Sequence, residues 1–76
     1  MKVKVIFHGE LKRYNNGKSD AEMELKEGTT VGQLIAETQI PADMIAFAGV
    51  NGSRADKAAV LSDGDEVTIF QIVAGG

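Results

Sequence analysis

"EGTTVGQLIAETQIP", Glu27 to Pro41, is the stretch where the chain changes its hydrophobic period. Val31, Leu34, Ile35 and Thr38 recur at i, i+3, i+4 and i+7, the spacing of one helix face. Thr30 and Gln33 stand three apart at the start, as a capping box requires: a hydroxyl for the third amide and a side-chain amide reaching back. Pro41 ends the helix by Ile40, because the residue before a proline avoids the helical region. Gly32 sits in the first turn, where it costs about 1 kcal/mol relative to alanine, and the neighbouring residues offer no reason for it.

On either side the period is two. Val3, Val5 and Phe7 alternate with Lys2, Lys4, Ile6 and His8, which describes a strand with one buried face. Ala21, Met23 and Leu25 alternate with Glu22, Glu24 and Lys26. Asn15-Asn16-Gly17-Lys18 lies between these runs and is turn chemistry, so they read as an antiparallel hairpin with a long connection. After the helix, Met44–Val50 (MIAFAGV) reads as a third, largely buried strand, and Asn51-Gly52 as a tight turn. A short strand or irregular stretch follows through Ala58 and Val60. "SDGDEV" then turns into a last strand, Glu66 to Ile72, with Val67 and Ile69 toward the core. One helix on one face of a small mixed sheet is a two-layer α+β fold. If the first and last strands are neighbours, the path of the chain makes them parallel.

Composition narrows the function. Seventy-six residues make one domain, and a chain of this size buries only roughly 60% of its unfolded surface. The apolar fraction of 43% and the net charge of −3 fit a folded domain. The acidic balance argues against a nucleic-acid footprint. No cysteine is present, which excludes disulfides, thiol nucleophiles and thiolate metal sites. His8 is the only histidine, too few for a His-based metal cluster and without a partner for a nucleophile–base relay. Asp63-Gly64-Asp65-Glu66 lacks the ligand spacing of a calcium loop. Lys12, Arg13, Lys18 and Tyr14 are too sparse for an RNA surface. The three methionines suit core filling. "MKVKVIFHG" alternates where a signal peptide would run apolar, and no segment approaches the about 20 apolar residues of a membrane span. The expected location is the cytoplasm, with no membrane partner.

Five blocks then carry a resemblance over essentially the whole chain: VKVIFHGELKRY, EGTTVGQLI, GVNGSRAD, LSDGDEVTIF and the closing VAGG. In this order and spacing the chain resembles the ubiquitin-like β-grasp sulfur carriers. These include the small subunit of molybdopterin synthase and the thiamine-pathway sulfur carrier. The resemblance implies a β-grasp domain over residues 1–72, a mixed sheet on one main helix, and a flexible diglycine tail over residues 73–76. Molybdopterin-type carriers often have prolines before the tail; here Gln71 and Ile72 stand there. Thiamine-type carriers usually have a shorter first hairpin than Gly9 to Asp20 provides.

The resemblance implies that the Gly76 carboxylate is joined to AMP and then converted by a sulfur nucleophile to a thiocarboxylate. Gly75, without a Cβ, lets the tail thread a narrow channel. The chain has no Gly-x-x-x-x-Gly-Lys-Ser/Thr loop. It is therefore expected to bind no cofactor and no metal itself, while ATP and a sulfur donor are used by partner enzymes. Those partners are an E1-like adenylating enzyme and the large subunit of molybdopterin synthase, or a thiazole synthase. The chain is a protein cosubstrate rather than an enzyme. A ubiquitin-like modifier conjugated through Gly76 and an inert β-grasp binding module remain open alternatives.

Partner docking is expected on the outward side of the first and last strands, where Ile6, His8, Phe70 and Ile72 form an apolar patch leading into Val73 and Ala74. Asp63, Asp65 and Glu66 either steer a basic partner or simply solvate a turn.

Overall fold

The computed structural model describes residues 1–73. Five strands form one mixed sheet in the order β2-β1-β5-β3-β4. They are β1 (Lys2–Phe7), β2 (Asp20–Glu24), β3 (Ile45–Val50), β4 (Ser53–Ala55) and β5 (Glu66–Gln71). A single α-helix, α1 (Val31–Thr38), packs on one face. The architecture is the ubiquitin-like β-grasp. β1 and β5 are parallel central neighbours, with Val5 opposite Val67 and Phe7 opposite Ile69. β1–β2, β3–β5 and β3–β4 are antiparallel.

The core lies between α1 and the sheet. Val3, Val5, Val67 and Ile69 enter it from the central strands, and Val31, Leu34 and Ile35 meet them from the helix. The alternation in β1 and β5 therefore points where the sequence places it. The three methionines lie at the margin of this core.

Both halves of the capping box form. The Gln33 amide donates to the Thr30 hydroxyl at 3.2 Å, and the Thr30 amide donates to the Gln33 side-chain oxygen at 2.9 Å. Gly32 now has a reason. The segment after β4 runs tightly across the helix start, so that the Val31 amide donates to the Ala59 carbonyl and the Gly32 amide to the Lys57 carbonyl, each at 2.9 Å. A Cβ on Gly32 would lie 3.3 Å from both the Lys57 carbonyl oxygen and its Cβ. Helix-start amides that are usually left to water are thus tied to a distant segment. At the other end Gln39 adopts φ 63° and closes the helix before Ile40.

The first connection holds an element that the sequence did not announce, and two expectations need correction. β1 and β2 form the antiparallel hairpin with a long connection; within that connection Gly9–Asn15 is a 3-10 helix, and its Leu11 is fully buried. Leu11 belongs to the core because this short helix covers one end of it. Met44–Val50 is not largely buried; only Ala48 and Gly49 are. β3 has one face on the core, where Ala48 pairs with Ile69 and Val50 with Val67, while Phe47 lies opposite Phe70 on the outer face. The last strand ends at Gln71, one residue short of Ile72, although the Ile72 amide still donates to the Met44 carbonyl at 2.9 Å.

The tight turn is as read. Asn51 and Gly52 both have positive φ, 51° and 89°, the signature of a type I′ hairpin turn. Asp63 and Asp65 have structural work. The Lys2 amide donates to Asp63 Oδ1 at 2.7 Å, and Asp65 accepts from Asn51 Nδ2 at 2.9 Å and from the Ser62 amide at 2.7 Å. These bonds tie the turn before β5 to the start of β1 and to the β3–β4 hairpin.

Candidate docking face and tail root

The sheet face opposite α1 has no covering element among the described residues, and it divides into two halves. Over β1 and β2 it is charged. Lys2 lies 3.9 Å from Glu22, and Lys4 lies 3.8 Å from Asp20 and 4.0 Å from Glu66. These pairs are exposed, so they order the surface more than they stabilise it. Over β5, β3 and β4 the face is aromatic. The His8 and Phe70 rings are 5.3 Å apart, Phe47 stacks on Phe70 at 4.6 Å, and the Arg54 guanidinium lies 4.8 Å from the centre of the Phe47 ring. Pairing rather than chance produces the cluster. Phe47 is opposite Phe70 across β3 and β5, and Gly49 is opposite Arg54 across β3 and β4. Aromatic rings at these centroid distances attract beyond their buried area, and a cation over a ring adds to that.

The structure brings His8 and Phe70 together and sets Ile6, half-buried, opposite Thr68 beside them. Ile72 is placed elsewhere. It is 47% exposed and lines a groove with Glu10, Asp43, Met44 and Gln71. Val73, 76% exposed, is the last described residue. The expected roles of Ala74, Gly75 and Gly76, and with them most of the tail assigned to residues 73–76, lie outside the described residues. Phe47 and Arg54 are the members of the face that the alternation of β1 and β5 did not reveal. A signal was present: a two-residue Asn51-Gly52 turn pairs Val50 with Ser53, which sets Gly49 against Arg54 and puts Phe47 on the same side.

The root of the tail is held firmly. The Glu10 amide donates to the Gln71 side-chain oxygen, and Gly9, at φ +57°, leaves the space that the Gln71 side chain fills. The bond from Ile72 to Met44 adds a second anchor. Among the described residues no group of three or more His, Asp or Glu side chains is arranged to hold a metal ion. No helix among them is long and apolar enough to cross a membrane.

The sequence model of the ThiS family matches residues 5–76, from β1 through the closing Gly75-Gly76. The chain belongs to the ThiS family. It is thus a ubiquitin-like β-grasp sulfur carrier by family and by fold. The solved structures it resembles include a putative molybdopterin converting factor subunit 1 from Pyrococcus furiosus, at 28% identity and a TM-score of 0.81 over 96% of this chain and 99% of that one. The complex of BexX with CysO from Amycolatopsis orientalis contains a chain that matches at 25% identity and a TM-score of 0.63, over 97% and 99% of the two chains. The small archaeal modifier protein 1 of H. volcanii shares the fold at 17% identity and a TM-score of 0.79, over 95% and 98%. No curated protein sequence matches the chain.

Proposed function

We propose that this ThiS-family chain carries sulfur as a thiocarboxylate on Gly76, as the small subunit of a molybdopterin or tungstopterin synthase in the cytoplasm. The observation that carries the reading is the family match, which runs to the terminal diglycine. The likeness to the Pyrococcus furiosus converting factor subunit supports the pterin branch.

The chemistry follows from the carboxyl group. A carboxylate is a poor acyl donor. Attack of a Gly76 oxygen on the α-phosphorus of ATP, with pyrophosphate leaving, makes a mixed anhydride. Hydrosulfide or a persulfide sulfur then attacks the carbonyl carbon and displaces AMP; a persulfide adduct needs a further thiol to reduce its S–S bond. The sulfur left on Gly76 is the nucleophile for the pterin precursor held by the large subunit. In this scheme the chain is a cosubstrate and not itself an enzyme. ATP and the sulfur donor belong to an E1-like adenylating enzyme, and the sheet face carrying His8, Phe70 and Phe47 docks the partners that receive the tail. The BexX–CysO complex supports a partner of the synthase type for a chain of this shape.

The test is intact mass after incubation with the cognate adenylating enzyme, ATP and a sulfide source. Exchange of oxygen for sulfur adds about 16 Da, and fragment mapping to the C-terminal peptide separates it from methionine oxidation. Consumption of the loaded form by a molybdopterin synthase large subunit with the pterin precursor supports the pterin branch. Consumption only by a thiazole synthase moves the chain to the thiamine branch. A lysine-linked conjugate makes it a modifier, and no adduct from an active enzyme leaves an inert module.

A further inference from the structure

The outer sheet face contains a gap. Across the strands the row Ile6, Thr68, Gly49, Arg54 runs from β1 to β4. Gly49 contributes no side chain to it. The space left is a recess of about 140 Å³, walled by Phe47, Phe70, Thr68, Ser53 and Arg54. Even a methyl group on Gly49 would sit 3.3 Å from the Ser53 carbonyl oxygen and 3.8 Å from the edge of Phe70. Two of the walls are phenyl rings, and the guanidinium stands at the rim, over the outer ring of the stack.

Arg54 also differs from the other cations of this face. Lys2 and Lys4 each have carboxylates within 4.0 Å. Arg54 pairs with no carboxylate among the described residues. A protein that covers the aromatic half strips water from this guanidinium, and burying an unpaired charge is strongly unfavourable. A partner that binds here therefore has to bring the missing carboxylate. A guanidinium accepts one as two parallel hydrogen bonds, and the recess has room for about one side chain.

We infer that the recess floored by Gly49 is a specificity pocket for a single acidic side chain of the docking protein. The partner's Glu or Asp methylenes lie against Phe47 and Phe70, and its carboxylate pairs with Arg54. The inference rests on the reading of this face as the docking surface for the adenylating enzyme.

The experiment is titration calorimetry of the full chain against its cognate adenylating enzyme at low and high salt, using Phe70→Ala, Arg54→Gln, Arg54→Glu and Gly49→Ala. Arg54 is exposed, so its replacements keep the fold, which circular dichroism verifies. The expected result is that Arg54→Glu weakens binding about tenfold or more at low salt. Arg54→Gln flattens the salt dependence, and Gly49→Ala weakens binding by filling the recess. If Phe70→Ala weakens binding while Arg54→Glu binds within about twofold of the unaltered chain, the face docks but no acid enters the recess, and the inference is wrong. If Phe70→Ala also binds within that range, the docking reading itself falls. Sulfur loading of Gly76, read by mass on the same proteins, reports on the carrier chemistry separately.

Discussion

At the scale of single residues, the informative positions are those where a local rule is broken for a distant reason. Gly9 has φ +57°, and a Cβ built there lies 2.5 Å from the Gln71 side-chain oxygen. Gly9→Ala is expected to destabilise the chain by about 1 kcal/mol from the left-handed backbone alone, and to displace the Gln71 side chain from the Glu10 amide. Denaturant melts of Gly9→Ala, Gln71→Ala and the double variant check this: the penalty of Gly9→Ala should shrink in the Gln71→Ala background, where the steric part is absent. Phe70 lies between His8, whose ring is tilted against it, and Phe47, which stacks on it. Phe70→Ala is expected to reduce affinity for the adenylating enzyme by about 2 kcal/mol as the centre of the face, with the folded spectrum intact; calorimetry reads it. Of the candidate face, Ile6, His8 and Phe70 were legible in the sequence because β1 and β5 alternate cleanly. For Phe47 and Arg54 the Asn51-Gly52 turn says only that they share a side; "MIAFAGV" is apolar throughout, so which side faces the core is decided by pairing with β5, which is interrupted between Ile45 and Phe47.

At the scale of elements, α1 illustrates how a short helix is stabilised from outside. Eight residues are too few to hold a helix in water alone. Its start is closed by the Thr30–Gln33 box and by the carbonyls of Lys57 and Ala59, and its inner face by the core. Thr30→Ala removes one acceptor of the box and is expected to cost about 1 kcal/mol, measured as a lower denaturant midpoint with an unchanged slope. Leu34, fully buried, is the helix's central contact with the sheet; Leu34→Ala is expected to cost about 2–5 kcal/mol, a large share of the stability of a domain this small. The helix, β1 and β5 were legible because each is written in its own period. The 3-10 helix was not. GELKRYN has a single buried apolar residue, Leu11, and so no period to read.

At the scale of the whole molecule, the β-grasp anchors the strand that leads to the proposed reacting end. Strand β5 sits between β1 and β3, with neighbours on both sides, and delivers the chain to Gln71. Removal of Gly76 is therefore expected to leave the melting temperature nearly unchanged, since a terminal glycine packs little, while abolishing adenylation and sulfur loading. Gly75→Val is expected to fold normally and to load poorly, through its added Cβ branches and its restricted φ. Thermal melts set beside intact-mass loading distinguish the two effects; a loss of melting temperature in either variant would show that the tail has a structural role.

The amino-acid order by itself determined β1, β2, β5 and α1, the inward faces of β1, β5 and α1, the Asn51-Gly52 turn and the diglycine end, because each is a local pattern set by strand and helix geometry over a few residues. Only the tertiary structure decided what lies beside what. The parallel contact of β1 with β5 joins opposite ends of the chain, with the Lys4 amide donating to the Asp65 carbonyl at 2.9 Å. The use of Gly32 depends on residues 57–59 crossing the helix start. The aromatic face and its recess exist only once β3 is laid against β5 and β4 against β3. Such neighbours are separated by up to about the whole chain, and no local period records them, because their pairing is selected by burial of a shared core rather than by any preference of the residues themselves.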